Sequence, residues 1–310
     1  MNGEGLMQRE QARQRPRLGI SGSRVAPYAL ILPAFLVVFA LAAYSCYWLV
    51  RMSGAEWSFG ATWEKATPVG LENYRWLLFD RNSTLWESLR ITAVFLVTTL
   101  VGELVIGFAL ALLLNAQIVG RSIYTAILII PMVVMPSMVG MVWRLYFSFD
   151  GLINFFCETL FRVKLNWYGT SLALPAVIIV DIWEWTPFFV LIFLAGLQSL
   201  PREPYEAAIV DGASSWQILR KLTIPMLAPL ILTATILRFM DILRIFDVIF
   251  VMFGGGPGTA TTTLPLYIYR LTMVARNVGR GSAASVMLII LIVGLTYLLI
   301  RLFDRVRFEG

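Results

Sequence analysis

The chain has 310 residues, of which 58% are hydrophobic and 14% are charged, with 25 Lys and Arg against 19 Asp and Glu. A charged fraction well below the roughly 25% of soluble domains, with a mean hydropathy of +0.76, predicts a polytopic membrane protein. Histidine is absent, which removes the commonest general base and metal ligand and argues against an intramembrane metalloprotease. The two cysteines, Cys46 and Cys157, support neither a disulfide framework nor a metal site.

A basic tail at residues 1–25 precedes the first apolar run. Its five arginines are Arg9, Arg13, Arg15, Arg17 and Arg24. A basic tail can bind nucleic acid, but directly ahead of an apolar run it more simply holds the N-terminus in the cytoplasm, so no nucleic-acid partner is expected. The run continues to Val50, whereas the core of a signal peptide spans about 7–15 residues. Despite the cleavage-like triplet Ala40-Leu41-Ala42, we expect an uncleaved first span.

Six apolar segments are long enough to cross a hydrocarbon core about 30 Å thick, which takes about 20 helical residues. They lie at roughly 27–50, 91–114, 123–147, 171–198, 226–253 and 281–303. An even number places both termini on one side, and the arginines near each terminus place that side in the cytoplasm. The predicted fold is therefore all-α, with a six-span transmembrane domain at 26–310 in the bilayer of the cell membrane.

Three connections are expected on the outer face. The first, at 51–90, holds tryptophans suited to a membrane interface, namely Trp57, Trp63, Trp76 and Trp86; the second lies at 148–170. The third begins with the run Gly254–Gly258, but a phosphate-binding loop needs a following Gly-Lys-Ser/Thr, which occurs nowhere in the chain. We therefore predict no nucleotide cofactor in this chain, and a flexible outer turn followed by a short helix from Leu264 to Met273.

The fifth predicted span carries Arg238, Asp241, Arg244 and Asp247, which alternate in sign at steps of three. Each unpaired charge would cost about 2.5–3.5 kcal/mol at the helix centre, so the set must be paired or face water. Residues i and i+3 are neighbours on a helix, but successive steps of three rotate around it. We therefore place Asp241 and Arg244 on the cavity side, and Arg238 and Asp247 as partners or edge residues.

In the fourth predicted span Asp181 and Glu184 lie one turn apart, flanked by Trp183 and Trp185. Carboxylates that accept from hydroxyl groups, beside aromatic rings that cover C–H faces, are a common arrangement for binding sugars. A glycosidase pair is not indicated, since two carboxylates on one helix do not flank a bond. The predicted solute pathway is formed by Asp181, Trp183, Glu184, Trp185, Asp241 and Arg244.

An alternative for this span stays open from the sequence. Asp181 can instead pair with Arg238 or Arg244 and lock the helix bundle without touching a solute. Glu103, alone in the second span, is expected to be an interhelical hydrogen-bond partner and not a ligand.

Between the fourth and fifth spans, at about 199–225, lies a polar stretch that a simple membrane anchor would not need. Two prolines at its start favour a new helix, and Glu206 lies near the first turn, where negative charge suits the helix dipole. Gly212 is a natural left-handed stop, and Ser214 or Ser215 can cap the next helix. The stretch is expected to form a helix-turn-helix knob that presents a face of small residues and the acidic side chain of Glu206.

The order of residues in this stretch resembles the cytoplasmic loop of ABC importer permeases. In that loop Glu-Ala-Ala, three residues, Gly, nine residues and an Ile/Leu-x-Leu/Ile-Pro ending recur. Here Glu206-Ala207-Ala208 is followed at the same step by Gly212, and nine residues lead to Leu222-Thr223-Ile224-Pro225. Only the Leu and Ile of the ending are exchanged.

Further elements are similar to the maltose-type carbohydrate permeases. They are Leu71-Glu72-Asn73-Tyr74, Leu197-Gln198-Ser199-Leu200-Pro201, and Gly254 to Pro257 followed by Tyr267-Ile268-Tyr269. The loop motif is highly specific for the importer class, and these elements are moderately specific for the carbohydrate subgroup.

The resemblance implies a non-catalytic permease subunit. A second, homologous permease would complete the pathway, two cytoplasmic ATPase subunits that bind ATP and Mg would dock on the loops, and an extracytoplasmic binding protein would deliver a sugar. The implied ATPase-coupling residues are Glu206, Ala207, Ala208, Asp211, Gly212 and Pro225.

Two other classes compete with this interpretation. An ion-coupled secondary carrier would use the acids of the fourth and fifth spans as ion sites, but it leaves the Glu206 loop unexplained, and no inverted repeat is visible. A purely structural protein would not need the charges inside the membrane.

Overall fold

Helices build almost all of the described structure. The computed structural model describes residues 26–116 and 120–308, so the basic tail predicted at 1–25 lies outside the described residues. The contacts divide the chain into two units, one that ends at Arg51 and one that begins at Met52.

The secondary structure consists of α-helices, one 3-10 turn at Trp63–Lys65, two π-helical turns and one small hairpin. In chain order the helices are α1 (Ala26–Ser53), α2 (Glu72–Phe79), α3 (Leu85–Asn115), α4 (Arg121–Val133), α5 (Pro136–Tyr146), α6 (Leu152–Phe161), α7 (Ala173–Ser199), α8 (Glu203–Val210), α9 (Ser215–Ile218), α10 (Ile224–Ile242), α11 (Asp247–Phe253), α12 (Leu264–Tyr269) and α13 (Val278–Phe308). The π-helical turns are Leu219–Thr223 and Arg270–Val274. Strands β1 (Ala55–Glu56) and β2 (Thr67–Pro68) are antiparallel, with Ala55 opposite Pro68.

Among the described residues, five helices are long and apolar enough to cross a membrane, and a sixth crossing arises if one bent pair is a single span. The five are Leu30–Ser53, Leu85–Asn115, Ala173–Ser199, Ser215–Ile242 and Val278–Arg301, and the bent pair is α4 with α5. The prediction of a helical polytopic membrane protein is confirmed at this level, with one two-stranded hairpin in addition to the helices. Six spans with both termini in the cytoplasm stay a prediction.

The third predicted segment, 123–147, is not one continuous helix, which corrects the sequence prediction. Helices α4 and α5 meet at an angle of 96°. Pro136 is the first residue of α5, and a proline forces the residue before it out of the helical region. Val134 and Met135 are accordingly extended, with ψ of 139° and 131°.

The fifth predicted segment, 226–253, is also interrupted. Helix α10 ends at Ile242, where short i→i+3 bonds close the last turn, including one of 3.0 Å from Arg244 N to Asp241 O. Asp247 begins a separate helix, α11. The expectation that all four charges share one helix was therefore wrong, and only Arg238 and Asp241 do.

The second outer connection contains a helix, α6, that was not predicted, and Cys157 lies on this helix and not in a loop. Asn154 of α6 is fully buried. Its Nδ2 donates to the carbonyl oxygen of Leu165 at 3.0 Å, and its Oδ1 accepts from Trp167 Nε1 at 3.2 Å. One buried amide thus ties α6 to the segment that leads into α7.

Helices α3 and α7 pack closely against each other, with Phe95 in one buried cluster and Phe189 and Phe193 in a second one. Phe95, Phe189 and Phe193 are fully buried. Gly107 allows the close approach, because a Cβ added there would lie 2.5 Å from the Cβ of Phe189. Within a bilayer the hydrophobic effect does not drive helices together. Small residues at the contact allow close van der Waals packing, which stabilises the helix pair instead.

The first turn of α13 packs against residues 53–57, which Asn73 of the element Leu71-Glu72-Asn73-Tyr74 holds in place. The side-chain Nδ2 of Asn73 donates to the carbonyl oxygens of Ser53 and Ala55, both at 2.9 Å. The N–H of Gly279 donates to the carbonyl oxygen of Trp57 at 3.2 Å. A Cβ added at Gly279 would clash with the carbonyl oxygen of Ala55, so this position requires glycine.

We expect Gly279→Ala to destabilise the protein by about 1–3 kcal/mol, the usual cost of forcing an extra carbon into packed backbone. Gly294→Ala is the matched control on the same helix, because nothing lies within 4 Å of its added Cβ. Thermal unfolding in detergent should show a lower Tm for Gly279→Ala and an unchanged or higher Tm for Gly294→Ala. Equal Tm values would contradict the requirement for glycine at position 279.

Candidate functional sites

The polar loop forms the helix-turn-helix knob that the sequence predicts. Glu203 and Glu206 lie in the first turn of α8. The helix stops at Gly212, whose φ of +75° lies in the left-handed region that favours glycine. The N–H of Ala213 then donates to the carbonyl oxygen of Ala208 at 2.9 Å, which satisfies one of the last carbonyls of the helix.

The second limb of the knob is fixed by its own hydrogen bonds. Ser214 caps α9 in a reciprocal capping box, in which Gln217 N donates to Ser214 Oγ at 3.3 Å and Ser214 N donates to Gln217 Oε1 at 2.8 Å. Tyr205 Oη donates to Thr223 Oγ1 at 3.1 Å and so joins α8 to the π-helical turn. The shape of the knob is therefore set before any partner binds.

Most of the predicted coupling residues lie on the surface of the knob. Ala208 is half-buried, and the exposed residues are Glu206, Ala207, Asp211, Gly212 and Pro225. A docking element needs such exposure.

A cleft of about 620 Å³ lies behind the knob, between α8 and the adjoining ends of α3, α4 and α7. Arg121, Arg202 and Tyr205 contribute its polar lining. With its amide oxygen turned toward α4, Gln198 accepts from the guanidinium of Arg121. The end of α7 and the start of α4 are thus linked beside the knob.

The second candidate site is a buried charge cluster centred on Arg238. The guanidinium donates from Nε to Glu103 Oε2 at 2.8 Å and from Nη2 to Glu103 Oε1 at 2.7 Å, a bidentate pair. Nη2 also contacts Asp181 Oδ2, and Nη1 donates to Asp241 Oδ2 at 2.6 Å. Arg238, Glu103 and Asp181 are almost completely buried. One arginine therefore joins α3, α7 and α10.

The cluster holds more acid than base. Asp181 Oδ1 and Glu184 Oε2 are buried without a hydrogen-bond partner among the described residues. Glu184 is only 1% exposed. A buried oxygen without a hydrogen bond is costly, so these two oxygens are the ones in the cluster that can still accept from a further donor.

The tryptophans of α7 occupy different environments. The guanidinium carbon of Arg238 lies 4.6 Å above the ring of Trp185, so one face of this ring is covered. Trp183 is 43% exposed and packs edge-on against Trp143, with ring centroids 5.3 Å apart. Of the two rings predicted to stack on sugar, Trp183 is the accessible one.

Asp241 and Arg244 lie where the cluster reaches the surface. The side chain of Asp241 is 44% exposed and that of Arg244 is 66% exposed, with Arg244 Nη2 3.8 Å from Asp241 Oδ1. The structure thus brings Asp181 and Asp241 together through Arg238, whereas Arg244 extends beyond the end of α10. Asp181 pairs with Arg238, as in the alternative in which it locks the helix bundle, and its place in a solute pathway stays a prediction.

The sequence prediction missed part of the role of two arginines. Glu103 is an interhelical partner as predicted, and Arg238 pairs with Asp181 as one alternative proposed, but the contact of Arg238 with three carboxylates at once was not predicted. Arg270 was also missed. It donates from Nη2 to the carbonyl oxygen of Gly254 at 2.8 Å and from Nη1 to Thr262 Oγ1 at 3.0 Å, and so fixes the glycine-rich outer turn.

Comparison with known sequences gives relatives over nearly the whole chain. A permease named as the trehalose/maltose transport system permease protein MalF, from Thermococcus litoralis, is 38% identical over 76% of this chain and 81% of its own length. The sulfoquinovosyl glycerol transport system permease protein SmoG, from Agrobacterium fabrum, is 33% identical over 91% of each chain.

Comparison with solved structures supports the same fold. A bacterial alginate ABC transporter, solved in complex with an alginate pentasaccharide-bound periplasmic protein, contains a chain that matches with a TM-score of 0.75 at 20% identity, over 91% of this chain and 94% of that one. The family model described as "Binding-protein-dependent transport system inner membrane component" matches residues 23–307. The chain belongs to this family, the permease subunits of binding-protein-dependent ABC importers.

Proposed function

We propose that this permease imports a carbohydrate, with an exposed, preformed knob at Glu203–Pro225 as its coupling element. The observation that carries this is the knob itself, since its order of residues and its rigid geometry serve no purpose in a helix that only spans the membrane. Relatives named as sugar permeases support a mono-, di- or oligosaccharide as the substrate.

The proposed complex contains a second homologous permease, two cytoplasmic ATPase subunits and an extracytoplasmic binding protein. ATP and Mg²⁺ would be bound by the ATPase subunits, and this chain would catalyse no reaction. The complex would lie in the cytoplasmic (inner) membrane, with both termini and the knob of this chain inside. The alginate ABC transporter of the same fold, solved in complex with a periplasmic protein, supports the binding-protein partner.

Solute would pass on the side where Trp183, Asp241 and Arg244 are exposed. Charges exposed at membrane depth must be covered by protein or face water, because lipid contact is too costly. A water-filled pathway shared with the second permease would keep these charges in contact with water and protein and away from lipid.

The alternative from the sequence, an ion-coupled secondary carrier with the acids around Arg238 as ion sites, does not agree with the family match. The two functions are distinguished by the energy source that drives uptake. For the proposed importer, sugar uptake persists when an ionophore dissipates the ion gradients and stops when ATP is depleted.

Glu206→Lys should lower ATP-driven uptake at least tenfold while the chain still inserts in the membrane, because the charge on the exposed docking face is reversed. Glu87→Lys is the matched control, an exposed first-turn glutamate at the other end of a span, and should leave uptake unchanged. Uptake in reconstituted vesicles is the measurement. Normal transport by the Glu206→Lys variant would contradict the assignment of this loop as the docking element.

The proposed orientation predicts that a cysteine at Ser214 is labelled by an impermeant maleimide only from the cytoplasm. A cysteine at Glu64 should be labelled from outside. Both positions are exposed, so access to the reagent depends on the side of the membrane alone. Labelling of Ser214→Cys from outside would overturn the orientation together with the docking assignment.

Glu184→Gln should alter sugar uptake or selectivity. It should leave the thermal stability unchanged, because Oε2 of Glu184 makes no hydrogen bond that the substitution could break. Glu103→Gln is the matched control. It breaks a bidentate buried pair, whose disruption typically costs about 3–5 kcal/mol, and should lower the Tm. Tm and uptake are measured on the same purified complexes. Unchanged uptake and selectivity in Glu184→Gln would remove this residue from the pathway.

A further inference from the structure

The cleft behind the knob is lined by positive charge and by neutral groups. Arg121 begins α4, and Arg202 directly precedes α8. Among the described residues no carboxylate lines the cleft, and the exposed Glu203 and Glu206 lie outside its lining. The neutral polar residues of the lining are Asn115, Gln198, Tyr205, Ser215 and Thr223. A cleft of this composition is complementary to an anion.

The charges of the two arginines are not balanced within the described part of the chain. Gln198 offers the guanidinium of Arg121 one neutral acceptor, whereas a guanidinium has five N–H donors. The ion pairs that the described residues form include neither Arg121 nor Arg202. The cleft of about 620 Å³ therefore holds two unbalanced positive charges, with room for a phosphate group.

An apolar groove of about 380 Å³ adjoins the cleft, between α3 and α4. Arg121 of the cleft and Tyr124 and Leu128 of the groove are spaced i, i+3 and i+7, so they share one face of α4. On α3, Leu114 of the groove directly precedes Asn115 of the cleft. The residues that line the groove are Leu110, Leu113, Leu114, Tyr124, Ile127 and Leu128.

The groove is open to the surroundings of the helix pair. Leu113 is 62% exposed, Ile127 is 58% exposed and Tyr124 is 52% exposed. The groove lies one to two helical turns from Arg121, toward the middle of the spans, which is the depth of acyl chains. An acidic protein segment would match the cleft but not this groove, whereas a lipid with an anionic headgroup matches both.

We propose that the cleft and the apolar groove together bind one anionic phospholipid of the cytoplasmic leaflet. Its phosphate faces Arg121 and Arg202, and an acyl chain lies along the groove. Basic pockets between spans on the cytoplasmic side bind anionic headgroups in this way. The inference goes beyond the proposed function and takes from it only the cytoplasmic position of the knob.

The test compares phosphatidylglycerol with phosphatidylcholine of the same acyl chains, titrated onto the complete importer complex in detergent, with native mass spectrometry as the readout. Each arginine contributes about a factor of five to binding of an anionic lipid. The wild-type complex should therefore prefer phosphatidylglycerol about twenty-five-fold, Arg202→Gln about fivefold, and the double variant Arg121→Gln/Arg202→Gln should bind both lipids about equally. Arg220→Gln is the matched control, because Arg220 is exposed and lies outside the lining of the cleft.

A second pair of variants tests the groove without a change of charge. Ile127→Trp fills the groove with a larger apolar side chain and should weaken binding of both lipids. Ile130→Trp is the matched control on the same helix, since Ile130 is 59% exposed and lies outside the groove lining, and it should leave binding unchanged. Equal binding by the two variants would remove the acyl chain from the groove and refute the proposal.

Three further results would overturn the lipid site. The first is an unchanged preference for phosphatidylglycerol in Arg202→Gln, whose exposed side chain can be replaced without breaking a buried contact. The second is displacement of phosphatidylglycerol by inorganic phosphate at equal concentration, which would make the cleft a site for a free anion. The third is binding to the permease pair that disappears in the complete complex, which would assign the cleft to a protein partner.

The lipid site and the proposed function are tested by different readouts. Lipid binding is measured without transport, so its failure leaves the importer assignment intact. Failure of ATP-driven sugar uptake would overturn the proposed function and leave the preference for phosphatidylglycerol as measured.

Discussion

The arrangement of the spans depends on a single buried guanidinium. Arg238 contacts carboxylates of Glu103, Asp181 and Asp241, and so connects α3, α7 and α10 at one point. In a medium where an isolated charge is costly, none of these side chains can move away alone. A buried ion pair adds little net stability compared with apolar packing, but breaking one is expensive. The cluster therefore specifies which helices are neighbours more than it strengthens their association.

Sequence reasoning predicted the elements whose signal is local. Hydropathy indicated the long helices, and proline, glycine and serine indicated the start, stop and cap of the knob, since each acts through its own backbone within a few residues. The interruptions at Val134 and at Ile242 were missed because apolar composition continues across both breaks. Hydropathy measures suitability for lipid and does not register a change in backbone direction.

The roles of polar residues depend on distant partners, and there the sequence was less informative. The spacing of Arg238 and Asp241 indicated a pair on one helix, which the structure has. It could not indicate that Glu103, 135 positions earlier, supplies the bidentate contact. The same holds for Asn73, whose motif was recognised as a family element, while its bonds to Ser53 and Ala55 emerge only from the folded chain.

The knob and the charge cluster lie on one continuous helix. The helical segment Ser215–Ile242 begins at the capping box of the knob and ends beside Arg238 and Asp241. At a rise of about 1.5 Å per residue, its 28 residues extend roughly 40 Å. This helix therefore connects the knob directly to the point where three spans meet. Its regular hydrogen bonding is altered at the π-helical turn Leu219–Thr223 and at Pro229, which lacks an N–H, and π-helical turns often occur at functional positions.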